Sequence, residues 1–332
     1  EAFKAPFELS QGKNFVGTSI GIGLYPTDGA DVETLLKNAD IAMYAAKTSK
    51  GNFCFFTAQL HERLQARLTT EKELMRALED DEFVVHYQPR VDTQTGGLVG
   101  LEALVRWNHP TRGEVQPGEF VAIAEKTDII LRLGAVVVDK VCAQLAAWQN
   151  AGIPVAPVSI NVSAKQFNGS NVKTLINDCL RRYGIRAQLL EIELTESTMM
   201  GEGKEIMAEL EAIRAQGIRI HVDDFGTGYS SLALLQRLKV DVLKVDRAFT
   251  SKLDVSKEGE IFFRAIVSIA HALDMDIVAE GVETLEQLRM LQTLGCDEVQ
   301  GFYISRPLSG EEITPLMRKG HWFPVPIQPP ER

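Results

Sequence analysis

Between residues 82 and 304 the chain keeps entering short apolar runs that enclose, or end on, a polar or charged side chain. Residues 98–107 read LVGLEALVRW around Glu102, and 158–163 read VSINVS around Asn161. LLEIELTE (189–196) ends in Glu193 and Glu196, and RIHVDDFG (219–226) carries Asp223 and Asp224 side by side. VLKVD (242–246) encloses Lys244, and IVAEGVE (277–283) carries Glu280 and Glu283. A short apolar run bounded by turn residues marks a strand buried on both faces. A lone carboxylate buried there either costs several kcal/mol or protonates. Several of them at the ends of successive strands imply a shared cationic partner.

Eight strand-like segments recur, at 82–91, 98–107, 155–163, 189–196, 219–225, 242–247, 276–281 and 298–304. Helix-compatible stretches at 118–151, 168–183, 201–216, 229–238, 258–273 and 284–294 separate most of them. Repeated βα units build a parallel sheet, and eight strands in roughly 240 residues favour closure into a (β/α)8 TIM-like barrel. The first two strands are joined only by 93–97. Parallel neighbours need a longer crossover, so the first strand is expected to be antiparallel. Ahead of the barrel, an alternating run at 15–24, a helical spacing at 31–47 and an aromatic strand at 52–56 make an α/β piece that is small for a core of its own. The amphipathic stretch 58–79, with Leu60, Leu64, Leu68, Leu74 and Leu78, suits a connector helix. The expected divisions are therefore 1–57, a connector at 58–80, and a barrel at 81–332. Pro315 and the Pro-rich tail are expected to end the fold in an extended segment.

Composition narrows the class. Of 332 residues, 45% are apolar and 24% charged, as in ordinary globular proteins. No run reaches the ~18 uninterrupted apolar residues of a membrane span. The start carries no signal peptide and no Met, so the chain reads as a piece of a longer protein, with any membrane part outside it. The net charge of −10 argues against DNA or RNA as a partner. Cys54, Cys142, Cys179 and Cys296 lack metal-ligand spacing and read as free thiols of a cytoplasmic protein. The six histidines read as structural.

Working residues of such barrels sit at the C-terminal ends of the strands. Glu102, Asn161, Glu193, Asp223, Lys244, Glu280 and Gln300 each fall on a different strand, at or near that end. One Glu alone would more often be a helix cap or an ion-pair partner. The joint placement argues for a site. Oxygen donors without Cys or His point to hard cations such as Mg²⁺ or Mn²⁺. Consecutive Asp223 and Asp224 suit a carboxylate shared by two metals, an arrangement that serves phosphoryl hydrolysis.

These residues also carry a resemblance. YQP (87–89), EALVRW (102–107), SINVS (159–163), ELTES (193–197), DDFGTGYSSL (223–232), LKVD (243–246), AEGVE (279–283) and QGF (300–302) resemble the EAL-domain family over about residues 80 to 320. Residues 15–57, with TSIGIGLYP and LLKNADIAMYAAKTSKGNFCFF, resemble the C-terminal part of a GGDEF (diguanylate cyclase) domain without its signature. The resemblance implies hydrolysis of cyclic di-GMP to linear pGpG with two Mg²⁺ or Mn²⁺ ions, a (β/α)8 barrel with an antiparallel first strand, and a homodimer through the EAL domain.

Carried over motif by motif, Glu102, Asn161, Glu193 and Asp223 would hold one metal. Asp223, Asp224 and Glu280 would hold the second, and Lys244 would orient the attacking water. Gln88, Arg106, Asp224, Glu283 and Gln300 would contact substrate, and Glu196 would anchor the loop that follows Asp223-Asp224. Arg90 departs from the apolar residue frequent in the family. Two other readings compete: a cyclic di-GMP receptor that barely hydrolyses, and a general two-metal phosphatase.

Overall fold

The structure, a computed structural model, describes residues 7–9, 12–14, 17–48, 53–169, 172–195, 198, 204–226, 235 and 239–323. Contacts divide it into two units, Glu1–Met75 and Arg76–Arg332. In the first, strands β1 (Phe7–Leu9) and β2 (Gly12–Asn14) form an antiparallel pair that the sequence pattern does not announce. Strand β3 (Ile20–Ile22) pairs in parallel with β4 (Phe53–Phe55), and the helix Val32–Thr48 connects them. That helix buries Ile41, Ala42 and Ala46. The next helix, Ala58–Glu79, contains the division between the units.

The second unit is built on β5 (Phe83–Asp92), β6 (Leu98–His109), β7 (Gly113–Val115), β8 (Val158–Asn161), β9 (Leu190–Thr195), β10 (Arg219–Phe225), β11 (Val242–Val245), β12 (Asp276–Ala279), β13 (Glu298–Val299) and β14 (Leu308–Ser309). Eight of these close into a ring in the order β5–β6–β8–β9–β10–β11–β12–β13 and back to β5. From β6 through β8 to β13 all neighbours are parallel. β5 runs antiparallel to both β6 and β13, while β7 and β14 extend β6 and β5. Period-two alternation divides each strand between two environments. In β9, Leu190, Ile192 and Leu194 join the apolar layer under the helices, and Glu191 and Glu193 face the barrel interior.

Several expected boundaries change. The stretch 118–151 divides into Pro117–Glu125 and Ile129–Asn150, where the Thr127 hydroxyl donates to the Ala124 carbonyl and competes with helix continuation. The last barrel strand shrinks to two residues because Gly301 and Val282 fold the chain into a turn after Gln300. The expected helix 229–238 lies outside the described residues except for Leu235.

Pro315 does not end the fold; it lies inside a helix, Gly310–Lys319. Ser309 and Glu312 form a capping box there, and Ile313 and Met317 are buried. Together these offset the ~3 kcal/mol cost of an internal proline. The tail also starts docked: Trp322 donates its backbone N–H to the Gly96 carbonyl, and Trp322 and Phe323 are buried.

Candidate active site

Lys244 is the centre of the barrel mouth. β11 is buried along its whole length, and its one charged side chain is fully enclosed. The ammonium lies 2.5 Å from Glu193, 2.6 Å from Glu280, 3.3 Å from Glu102 and 3.3 Å from Asp223. These come from β9, the turn after β12, β6 and β10. Glu102 also accepts from Asn161 at 3.0 Å and from Gln300 at 2.7 Å. The Gln300 amide reaches Gln88 at 3.0 Å, and Gln88 donates to the Ser305 carbonyl at 3.1 Å. Asp223 and Asp224 are presented by an irregularity in the β10–β11 register between Val222 and Phe225, with Asp224 at φ 57°. Strand irregularities of this kind re-aim side chains beside active sites.

Charge is badly unbalanced. Four carboxylates (Glu102, Glu193, Asp223 and Glu280) pair with one ammonium and Asp224 adjoins two of them, so full ionisation of all five would leave four negative charges uncompensated. Burial pushes Glu193 up to about 8, helped by the charges of Glu102 and Asp223. Burial and the same neighbours also raise Glu280 well above its ordinary value, and burial with Asp223 raises Asp224. Burial acts upward on Glu102 too, but Lys244 and the amides of Gln300 and Asn161 outweigh it and hold that carboxyl low. Burial pulls Lys244 down, yet its four carboxylates more than reverse this, so it keeps its proton.

The donor set fits two divalent cations. Two such ions would supply the four missing positive charges. Oxygens of Asp223, Asp224 and Glu280 lie within 4.8 Å of one another. Oε1 of Glu193 is buried with no hydrogen-bond partner. Carboxylates and amides without Cys or His are the donors hard cations take.

Two cavities adjoin the cluster. One, of about 270 Å³, is lined by Gln88, Glu102, Asp223, Glu280, Gln300 and Phe302 among others. The other, of about 430 Å³, has apolar walls from the helices Pro117–Glu125 and Ile129–Asn150, and reaches Asn161, Glu193, Asp223 and Asp224. On the rim, Glu283 pairs with Arg247 at 2.8 Å. Arg106 is buried, 3.7 Å from Glu114, and donates to the Val105 carbonyl at 2.9 Å. Glu196 lies outside the described residues.

Sequence reasoning missed two groups. Arg247 lines the first cavity, and Arg306 stacks over Phe302 at 4.3 Å from its ring centre. Beneath the mouth lies a second charged layer. Arg90, 1% exposed, pairs with Glu191 and, at 2.9 Å, with Glu298. The fully buried His221 sits between Glu191 and Glu193. Burial pushes Glu191 up, but Arg90 and His221 outweigh it and hold it at about 2. Burial, reinforced by Arg90, lowers His221 to about 4. The available signal was that Glu191 and Glu193 share a strand face by period two, as do His221 and Asp223.

The arrangement has known relatives. The EAL domain family profile matches residues 71–307, and the diguanylate cyclase GGDEF domain profile matches residues 1–53. The bifunctional diguanylate cyclase/cyclic di-GMP phosphodiesterase MucR of Pseudomonas aeruginosa is 40% identical over 309 residues, 93% of this chain and 45% of MucR. The cyclic di-GMP phosphodiesterase NbdA of the same organism is 39% identical over 320 residues, 96% of this chain and 41% of NbdA. The chain thus spans less than half the length of these curated relatives. Among solved structures, the PaMucR phosphodiesterase in its c-di-GMP complex superposes with a TM-score of 0.71 at 39% identity, covering 74% of this chain and 99% of that one. With more than half of its residues matched by the profile, and with the barrel and its acidic mouth in place, the chain belongs to the EAL-domain family and carries a GGDEF-domain fragment at its N-terminus.

Proposed function

We propose that this chain is a divalent-metal-dependent phosphodiesterase that opens cyclic di-GMP to linear pGpG. The carrying observation is the convergence of four carboxylates on one buried ammonium at the barrel mouth, with Asp224 beside Asp223 and Glu280. Relatives named as cyclic di-GMP phosphodiesterases support the substrate. The same reading takes the fold as a barrel with an antiparallel first strand behind a diguanylate-cyclase remnant. It includes a cytoplasmic homodimer, which light scattering tests.

Glu102, Asn161, Glu193 and Asp223 would hold one Mg²⁺ or Mn²⁺, and Asp223, Asp224 and Glu280 a second. Bound there, the ions neutralise phosphate charge and lower the pKa of water. Lys244 keeps its proton at Nζ and orients the attacking water by donating to it. Gln300 and Asn161 hold Glu102 in its ionised form through their amide donors. Gln88 keeps Gln300 turned toward Glu102, the rim residues Arg247 and Glu283 would face the dinucleotide, and the buried Arg106 would bind one of its phosphates. Water oxygen adds to one phosphorus and the P–O3′ bond breaks. The 5′-phosphate stays with the product, and a proton ends on the freed 3′-hydroxyl.

Chromatography of cyclic di-GMP incubated with the chain and Mn²⁺ or Mg²⁺ tests this. pGpG should appear with metal, vanish with EDTA, and be absent with Glu102→Ala. Tight binding of intact nucleotide under both metals would establish a receptor instead. Turnover of p-nitrophenyl phosphate far above that of the dinucleotide would establish a general phosphatase.

A further inference from the structure

The interior of a (β/α)8 barrel is ordinarily filled by branched apolar side chains. Here the layer beneath the mouth is charged, and a buried ion pair adds little stability over apolar packing. Its geometry suggests another use. Arg90 fits because its cross-strand partner is Gly100: a Cβ there would lie 2.2 Å from Nη2 of the guanidinium. Arg90 is held by Glu191 and Glu298, and Glu191 lies two residues before Glu193 on the same face of β9. His221 comes from the neighbouring strand in register with Glu193. Its ring fills the gap between the two carboxylates, Nε2 3.2 Å from Glu191 and Nδ1 3.7 Å from Glu193.

Glu193 therefore has two cations within electrostatic reach, Lys244 above and Arg90 below, with an imidazole ring on the lower side. We propose that His221 is a positioning residue: a wedge that, with Glu191 balancing Arg90, stops the Glu193 carboxylate from turning down to the guanidinium and keeps it aimed into the mouth for a divalent cation. This rests on the assignment of Glu193 as a metal-holding carboxylate. The wedge acts through volume and placement. The partners of ligating carboxylates typically change metal affinity by about 10–100-fold when removed.

The test is Mn²⁺ affinity of the whole chain, measured by calorimetry without substrate. His221→Val keeps a buried strand residue but loses the reach of the ring, and should weaken Mn²⁺ binding by about tenfold or more. His221→Phe keeps the ring and should stay within about threefold of the parent. Unchanged affinity in the valine variant, or equal weakening in both, overturns the wedge. Should melting curves show the valine variant unfolded, Glu191→Gln serves. It frees Arg90 to attract Glu193 at constant volume and should weaken Mn²⁺ binding; unchanged affinity there also overturns the proposal. A parent chain that binds no Mn²⁺ would sink the metal assignment, whereas a parent that binds beside an unaffected variant sinks the wedge alone.

Discussion

At the scale of single residues, Lys244 has the most to lose. Its buried ammonium is the cation that four carboxylates share. Removing one partner of a buried pair costs about 3–5 kcal/mol because charge is left unmatched. Lys244→Met should therefore melt well below the parent in EDTA and recover much of the loss in Mn²⁺. An equal loss with and without metal would contradict the charge argument. Its turnover should fall by roughly 10²–10³, the range typical of a lost preorganised hydrogen-bond donor. His221 sets a pH dependence. Burial, then Arg90, lower it to about 4 from 6.5, so between those values the unfolded chain binds a proton that the folded chain refuses. Stability from this residue is present above pH 6.5 and drains as pH falls to about 4, on the order of 3 kcal/mol in all. His221→Phe should flatten the melting-temperature slope across that window, and an unchanged slope would reject the account.

At the scale of elements, the mouth depends on two turns that clasp each other. Val282 donates to the Gln300 carbonyl at 3.0 Å, and Tyr303 donates to the Val282 carbonyl at 2.9 Å. The turn after β12 carries Glu280 and Glu283, and the one after β13 carries Gln300 and Phe302. Gly301 permits the approach, since a Cβ there would sit 2.2 Å from both the backbone N and O of Val282. Gly301→Ala should cost about 1–3 kcal/mol by overpacking and spread the two turns. Denaturant melts should show the loss, and turnover should fall further than stability alone explains. A neutral effect on both would mean the turns can part freely. The following helix, Leu285–Leu294, starts from a capping box of Thr284 and Gln287, and the Gln287 side chain also accepts from the Glu283 backbone. Helix start and site rim are thus one hydrogen-bonded structure.

At the scale of the whole molecule, the residues proposed to hold metal all lie in the unit Arg76–Arg332. A chain lacking residues 1–70 should bind Mn²⁺ with unchanged affinity by calorimetry; a large loss would implicate the N-terminal unit in the site. Mn²⁺ at 100 times its dissociation constant should stabilise the fold by about 2.7 kcal/mol, and EDTA should reverse the shift. The sequence by itself determined the order of the eight barrel strands and of most helices between them, because period-two and period-3.6 patterns are local. It also placed Glu102, Asn161, Glu193, Asp223, Lys244 and Glu280 on successive strands at or near their ends, and strand ends of a closed barrel share one mouth; in the structure Glu102 lies mid-strand in β6 and Glu280 just past β12. Boundaries such as the helix through Pro315 and the two-residue β13 were hidden, because capping and burial from distant segments outweighed local preference. Only the tertiary structure decided which charges meet. Arg90 reads locally as a lone basic residue on a strand; ring closure brings it to Glu191 and Glu298, 101 and 208 residues away. Distances across a barrel interior follow from strand stagger and closure, which no local pattern encodes.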